Sequence, residues 1–274
     1  KAALIAGNID ILPDARTRDV EELRGRGFTV QSAPTMDLQA VLLQTKDPMF
    51  ADPRMRQAVA LALDVPDLVR AVTEGSALAS RSPIPPASAF FTPAIGQVPA
   101  RNIEEAKRLA AEAGYRGQPI KLLTTRRFEA FYEIAVLVQD MAREAGINFE
   151  LEVLEWATQL DRYNRGDYQA MAFGYSARLD ASLSFEMFLG PKATQPRKVW
   201  DNSEAQALLE ETMRYADPAR RAAAFVQLQA KLMQDVPIVA LYSSITNGAF
   251  GRTVQGYESW ALDQPRAWGV RLVR

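Results

Sequence analysis

Two hydrophobic rhythms alternate through the middle of the chain. Ile147, Phe149, Leu151 and Val153 alternate with Asn148, Glu150 and Glu152, the period of two of a half-buried strand. Upstream, Ile134, Val138, Met141 and Ala145 recur on one face of a helix over 131–145, and Gly146 supplies its stop. Ile120-Lys121-Leu122-Leu123-Thr124 reads as a short strand before that helix. After the 147–153 strand, 156–164 reads as a helix and 168–174 as another strand. The succession is βαβαβ with short helical connections, for which right-handed crossovers and a parallel core are the default expectation. The chain therefore reads as α/β.

Local stop and start signals add further elements. Asp217-Pro218 opens a long helix that Pro237 closes, with Phe225, Leu228 and Leu232 as its core stripe. Asn102 with Glu105 three positions on forms a capping box for a helix ending at Ala113-Gly114. In Ser82-Pro83-Ile84-Pro85-Pro86, three prolines exclude a helix and predict a stiff, extended surface connector. Asp52 is a good N-cap, Pro53 suits the first helical position, and Met55, Val59 and Ala62 return on one face.

Composition narrows the chemistry. With 274 residues, one large domain or two lobes are both possible. The 32 Lys and Arg nearly balance 33 Asp and Glu, so no global charge favours nucleic acid or an anionic membrane. The absence of both Cys and His excludes a zinc site built from those ligands and a Ser-His-Asp triad. A metal would have to arrive already chelated, and no cofactor is expected. No run approaches the roughly 20 apolar residues of a membrane-spanning helix.

The run Phe50-Ala51-Asp52-Pro53-Arg54-Met55-Arg56-Gln57-Ala58, closed by Ala62-Leu63-Asp64, resembles a signature segment of the family 5 solute-binding proteins of ABC importers. Other segments resemble that family in the same order: Gly75 with Pro83-Ile84-Pro85-Pro86, then Ile103-Glu104-Glu105-Ala106-Lys107 through Ala113-Gly114-Tyr115. Gly146-Ile147 with Glu155-Trp156, Pro237-Ile238-Val239-Ala240-Leu241-Tyr242 and Val254-Gln255-Gly256-Tyr257 complete the set. Leu4 to Ile11 resembles an element that the family carries well inside its first lobe, which implies a C-terminal portion whose leader and much of whose first lobe precede Lys1.

The resemblance implies a class II periplasmic-binding-protein-like (Venus flytrap) fold in which two lobes close over a solute. On that frame, 1–40 would be the remainder of the first lobe, 41–242 the second α/β lobe, and 243–274 the return to the first. Gln44-Thr45-Lys46 and Leu241-Tyr242-Ser243 are the hinge candidates. The implied partners are a peptide or peptide-like acidic solute and an ABC transporter permease. The protein would be periplasmic or otherwise extracytoplasmic, monomeric and not an enzyme.

Peptide-binding relatives pair an Asp with the peptide amino terminus, and that position falls on Arg178 in Gly174-Tyr175-Ser176-Ala177-Arg178-Leu179-Asp180. Their carboxylate-binding Arg falls next to Arg126-Arg127. The guanidinium fork of Arg178, Arg126 or Arg127 suits a solute carboxylate, with Asp180 orienting Arg178 or taking an amine. Ser176 belongs to the same segment, and Tyr175, Trp156 and Trp200 are candidate cleft walls. Two other readings compete. One is a ligand-sensing domain reusing the fold in a regulatory protein. The other is a carboxylate-based hydrolase using Glu150 and Glu152 or Asp161.

Overall fold

The computed structural model describes residues 1–262 and 264–273, and in it the period-two segments pair into one large sheet and smaller ones. The strands are β1 (Ile11–Leu12), β2 (Thr29–Pro34), β3 (Leu38–Leu43), β4 (Ile120–Thr124), β5 (Phe149–Val153), β6 (Ala170–Tyr175), β7 (Ile238–Tyr242), β8 (Ile245–Phe250), β9 (Val254–Gln255) and β10 (Arg271–Leu272). The large sheet has the order β5-β4-β6-β3-β7. A three-stranded sheet has the order β1-β8-β2, and β9 pairs with β10.

The predicted βαβαβ unit is β4, α6 (Glu129–Arg143), β5, α7 (Trp156–Arg165) and β6, and these strands are parallel. The sheet as a whole is mixed, because β3 runs antiparallel to both β6 and β7. The crossover rule governs only strands joined by helical connections. β3 instead enters from β2 of the three-stranded sheet, at the edge where β6 ends: Leu38 lies opposite Tyr175.

Helices cover both faces. Val41, Leu43, Ile120, Leu122 and Ala172 point to one face, under α3 (Pro53–Ala62), α4 (Val65–Val72), α5 (Ile103–Glu112) and α6. Leu38, Ala40, Leu42, Met171 and Phe173 point to the other, under α8 (Ala181–Glu186), α9 (Ser203–Arg214) and α10 (Pro218–Asp235). Burial on both sides explains why β3 reads as a nearly continuous apolar run instead of alternating. Two short helices, α1 (Ala2–Ile5) and α2 (Val20–Gly25), lie near the smaller sheet, where Leu4, Leu23 and Ala249 make a small core.

Local chemistry sets the helix ends. The Asp52 carboxylate accepts from the Arg54 N–H at 2.8 Å, and Asp217 accepts from the Arg220 N–H at 2.7 Å. Asn102 accepts from the Glu105 N–H at 3.0 Å, but the Glu105 carboxylate pairs with Arg108, so only half the capping box forms.

The proline stretch departs from its expectation as a surface connector. Pro83, Ile84 and Pro85 are buried, after the Ser80 N–H donates to the Leu241 carbonyl beside β7. Prolines carry no N–H, so burying them leaves no donor unsatisfied, and Ile84 fills the second core.

The chain passes between the two larger sheets at residues 35–37 and again at 243–244. The first strand of the large sheet in chain order, β3, begins at Leu38, so residue 40 lies inside it, and the last, β7, ends at Tyr242. Gln44-Thr45-Lys46 lies at the far end of β3 from the first passage; Leu241-Tyr242-Ser243 adjoins the second.

Candidate functional site

Both passages rise from the same edge of the large sheet, and Asp37 joins them. Its carboxylate accepts from the Thr35 hydroxyl at 2.6 Å, the Gln39 amide at 3.0 Å, and the Ser244 N–H and hydroxyl at 2.7 and 2.6 Å. A carboxylate with this many donors fixes the entry of β3 against the exit of β7. Beside this junction lies a cleft of about 390 Å³.

Three parts of the chain line it. Asp14, Arg16 and Arg18 come from the segment after β1; Glu74 follows α4; Glu129 and Glu133 stand one turn apart at the start of α6. Tyr242 and Ser244 form part of the same lining. Tyr242 reaches it because of an irregularity in the ladder: Ala40 faces Ala240 while Gln39 faces Tyr242, so one extra residue in β7 turns Tyr242 to the α4 and α6 face. The ring is buried. Burial, then the charges of Asp37 and Glu133, push that phenol well above its ordinary range.

The electrostatics divide the cleft. Burial raises the Glu133 carboxyl above the usual carboxylate value, reinforced by Glu129 and then Glu74. Arg18 approaches Glu74 to 3.9 Å from the opposite wall. Glu74, Glu129 and Glu133 stand on the helix side, and Arg16 and Arg18 stand with Asp14 on the β1 side, so the cleft holds partners for both an amine and a carboxylate.

The side chains singled out from sequence divide into two groups. Arg126 and Arg127 follow β4 and are exposed near the start of α6; Arg126 lies 3.8 Å from the Tyr132 ring centre and donates to its hydroxyl at 2.7 Å. Ser176 and Arg178 follow β6. Arg178 folds back to donate to the Ser176 and Ala177 carbonyls, and its N–H donates to the Met36 carbonyl at the first passage. These four residues follow strand ends at the junction edge.

The others are engaged elsewhere. Asp180 pairs with Arg221 at 2.7 Å and caps α8 through the Ser182 N–H, so it does not orient Arg178. Tyr175 is buried, and β6 alternation places it with Phe173 on the face opposite α6, where it meets Tyr163 and Phe188. Trp156 packs among Phe128, Phe131 and Phe173. Trp200 is 2 % exposed, stacks on Phe188 and donates through Nε1 to Asp235, near the far end of β3. The carboxylates considered for hydrolysis also have structural roles: Glu152 pairs with Arg162 and Asp161 with Arg165.

Sequence reasoning passed over Glu129, Glu133, Asp37, Arg16 and Arg18, and gave Tyr242 only as part of a family segment and a hinge candidate. One signal was available: two glutamates at i and i+4 repel on a helix, a cost that function can justify. The roles of Tyr242 and Asp37 depend on a strand irregularity and a passage between sheets, which no local pattern displays.

Comparison with known proteins accords with this architecture. Over 235 residues the chain is 27% identical to the oligopeptide-binding protein AppA of Bacillus subtilis, covering 78% of this chain and 42% of that one. It is 24% identical to heme-binding protein A of Haemophilus influenzae, covering 99% of this chain and 51% of that one. The chain thus spans about half the length of these curated relatives. In structure it matches the ABC transporter-associated periplasmic binding protein DppA of Helicobacter pylori, solved with the peptide STSA, at a TM-score of 0.87 and 23% identity, covering 100% of this chain and 54% of that one. The fold is therefore that of the periplasmic binding proteins. Residues 1–196 match the family described as bacterial extracellular solute-binding proteins, family 5 Middle, and the chain belongs to that family.

Proposed function

We propose that this chain forms part of the cleft of an extracytoplasmic solute receptor that captures a peptide-like zwitterion and presents it to an ABC transporter permease. The observation that carries the reading is one cleft lined both by Glu129 and Glu133 and by Arg16 and Arg18, with Asp14 beside the two arginines. The solute's ammonium group would sit against the two glutamates and the Tyr242 hydroxyl. Its carboxylate would take Arg16 or the exposed Arg126 and Arg127, with Arg178 at the rim. Residues 1–37 and those from 243 on would move as one lobe and 38–242 as the other, with the Asp37–Ser244 clasp at the pivot. A bound solute stabilises the closed state by its differential affinity for that state. The complete receptor is expected to act as a monomer, with no catalytic step.

The test is calorimetric titration of the complete mature protein with di- to pentapeptides, alongside their N-acetylated and C-amidated forms. Free peptides should bind, each blocked form should weaken binding, and Glu133→Gln should reduce the penalty of acetylation. Equal affinity for free and doubly blocked peptides would rule out recognition of the two charges. No binding of any peptide would reject the peptide-like solute.

A further inference from the structure

Arg56, Arg81 and Lys198 are the cationic side chains that the described residues bury. Two of them have hydrogen-bond partners for their charged groups. Arg56 donates to the carbonyls of Asp235, Phe50 and Ala51, and Lys198 pairs with Glu186 at 2.5 Å. Arg81 is only 4 % exposed, yet among the described residues its guanidinium has no ion pair and its enclosed Nε has no hydrogen-bond partner. A buried cation without a partner is costly, so proteins ordinarily supply an anion or leave the residue out.

Arg81 lines a cavity of about 380 Å³ between α3, α5 and the end of α10. Its walls are mixed: Leu61, Leu109 and Met233 supply apolar surface, and Gln57, Glu105 and Arg108 supply polar surface. The one carboxylate among the lining residues, Glu105, is occupied by Arg108, which also holds Glu112. None of the residues lining this cavity lines the cleft at the junction of the sheets.

We propose that this cavity is a second binding site that takes a carboxylate carried on an apolar body, the carboxylate against Arg81 and the body along Leu61, Leu109 and Met233. The guanidinium fork matches the two oxygens of a carboxylate, and a charge-assisted pair with a buried guanidinium is stronger than one in water. Burial alone already pulls the Arg81 guanidinium down to about 10, the direction expected of a cation that has lost water and gained no counter-ion. An anion that binds there restores that loss. The apolar part of the lining, Leu61, Leu109 and Met233, distinguishes an organic acid from a bare inorganic anion.

The experiment is a titration of the complete protein at constant ionic strength, following the Nε–H resonance of Arg81 by NMR, with octanoate, acetate and inorganic phosphate as probes. Octanoate should move the resonance to saturation. Acetate should need at least about tenfold higher concentration, because burial of even a few methylenes exceeds one decade of affinity. Phosphate should produce no saturable shift. Octanoate should also raise the melting temperature of the wild type but not of Arg81→Met. A resonance unmoved by octanoate overturns the proposal, as does saturation by phosphate at lower concentration than octanoate. Should Arg81→Met not fold, the wild-type titration decides by itself.

Discussion

Asp37 and Ser244 clasp the two passages that join the sheets, the Asp37 carboxylate accepting both the backbone N–H and the hydroxyl of Ser244, at 2.7 and 2.6 Å. Asp37→Ala strips partners from two donors of Ser244, from the Thr35 hydroxyl and from the Gln39 amide. The expected loss is about 2–4 kcal/mol, since an unpaired buried donor costs about 1–3 kcal/mol and several are affected. Urea unfolding of both proteins measures it. A loss below the error of the fit would show that the clasp is not needed to hold the passages.

Glu133 should be a net liability to the folded state at neutral pH. Its folded carboxyl is raised above the unfolded value, so its favourable contribution belongs below the ordinary carboxylate range and is lost as pH rises through the raised value. Glu133→Gln is therefore expected to melt at or above the wild-type temperature at pH 7, with the relative advantage shrinking toward acid. Paired melting curves from pH 3 to 8 test this, and a variant less stable at pH 7 than at pH 3, relative to wild type, contradicts it.

Asp180 works in the opposite sense. Burial alone would raise its carboxyl, but hydrogen bonds from Arg221 and then from Ser182 outweigh that and hold it below the ordinary value. Its stabilisation is present above the unfolded value and disappears as pH falls through the folded one. Asp180→Ala should cost about 1 kcal/mol for the lost cap. The half-exposed pair with Arg221 should add less than about 1 kcal/mol. Asp180→Asn, which retains a capping oxygen, should recover most of the loss, and identical losses for the two variants would show that the cap contributes nothing.

Gly174 leaves room that a methyl group would close. A Cβ there would stand 2.6 Å from the Gln39 Oε1 and 2.8 Å from the Phe131 ring. Gly174→Ala is expected to destabilise by about 1–3 kcal/mol through overpacking. It should also shift Gln39, whose amide donates to Asp37, and so weaken solute binding at the junction. Wild-type stability and affinity in this variant would show that the β6 end yields freely.

The βαβαβ unit was legible from periodicity because each of its elements is stabilised by contacts that repeat every two or every three to four residues. Asp52, Asn102 and Asp217 were legible as caps for a similar reason: each acts on an N–H two or three residues away. The family was legible as well, since its motifs keep their order along the chain. The direction of β3, the burial of Ile84 between prolines, and the partner of Asp180 were not, because each is set by a segment distant in sequence. The aromatic candidates show the limit most directly: Tyr175 and Trp200 are as suited to a cleft wall as to a core, and only the face of β6 and the bond to Asp235 assign them to the core. By itself, then, the sequence determined the α/β elements, their ends and the family, all of which rest on near-neighbour physics. Tertiary structure alone decided where charge collects, because the cleft draws its carboxylates and guanidiniums from segments more than a hundred residues apart and aims Tyr242 into it through a single extra residue in β7.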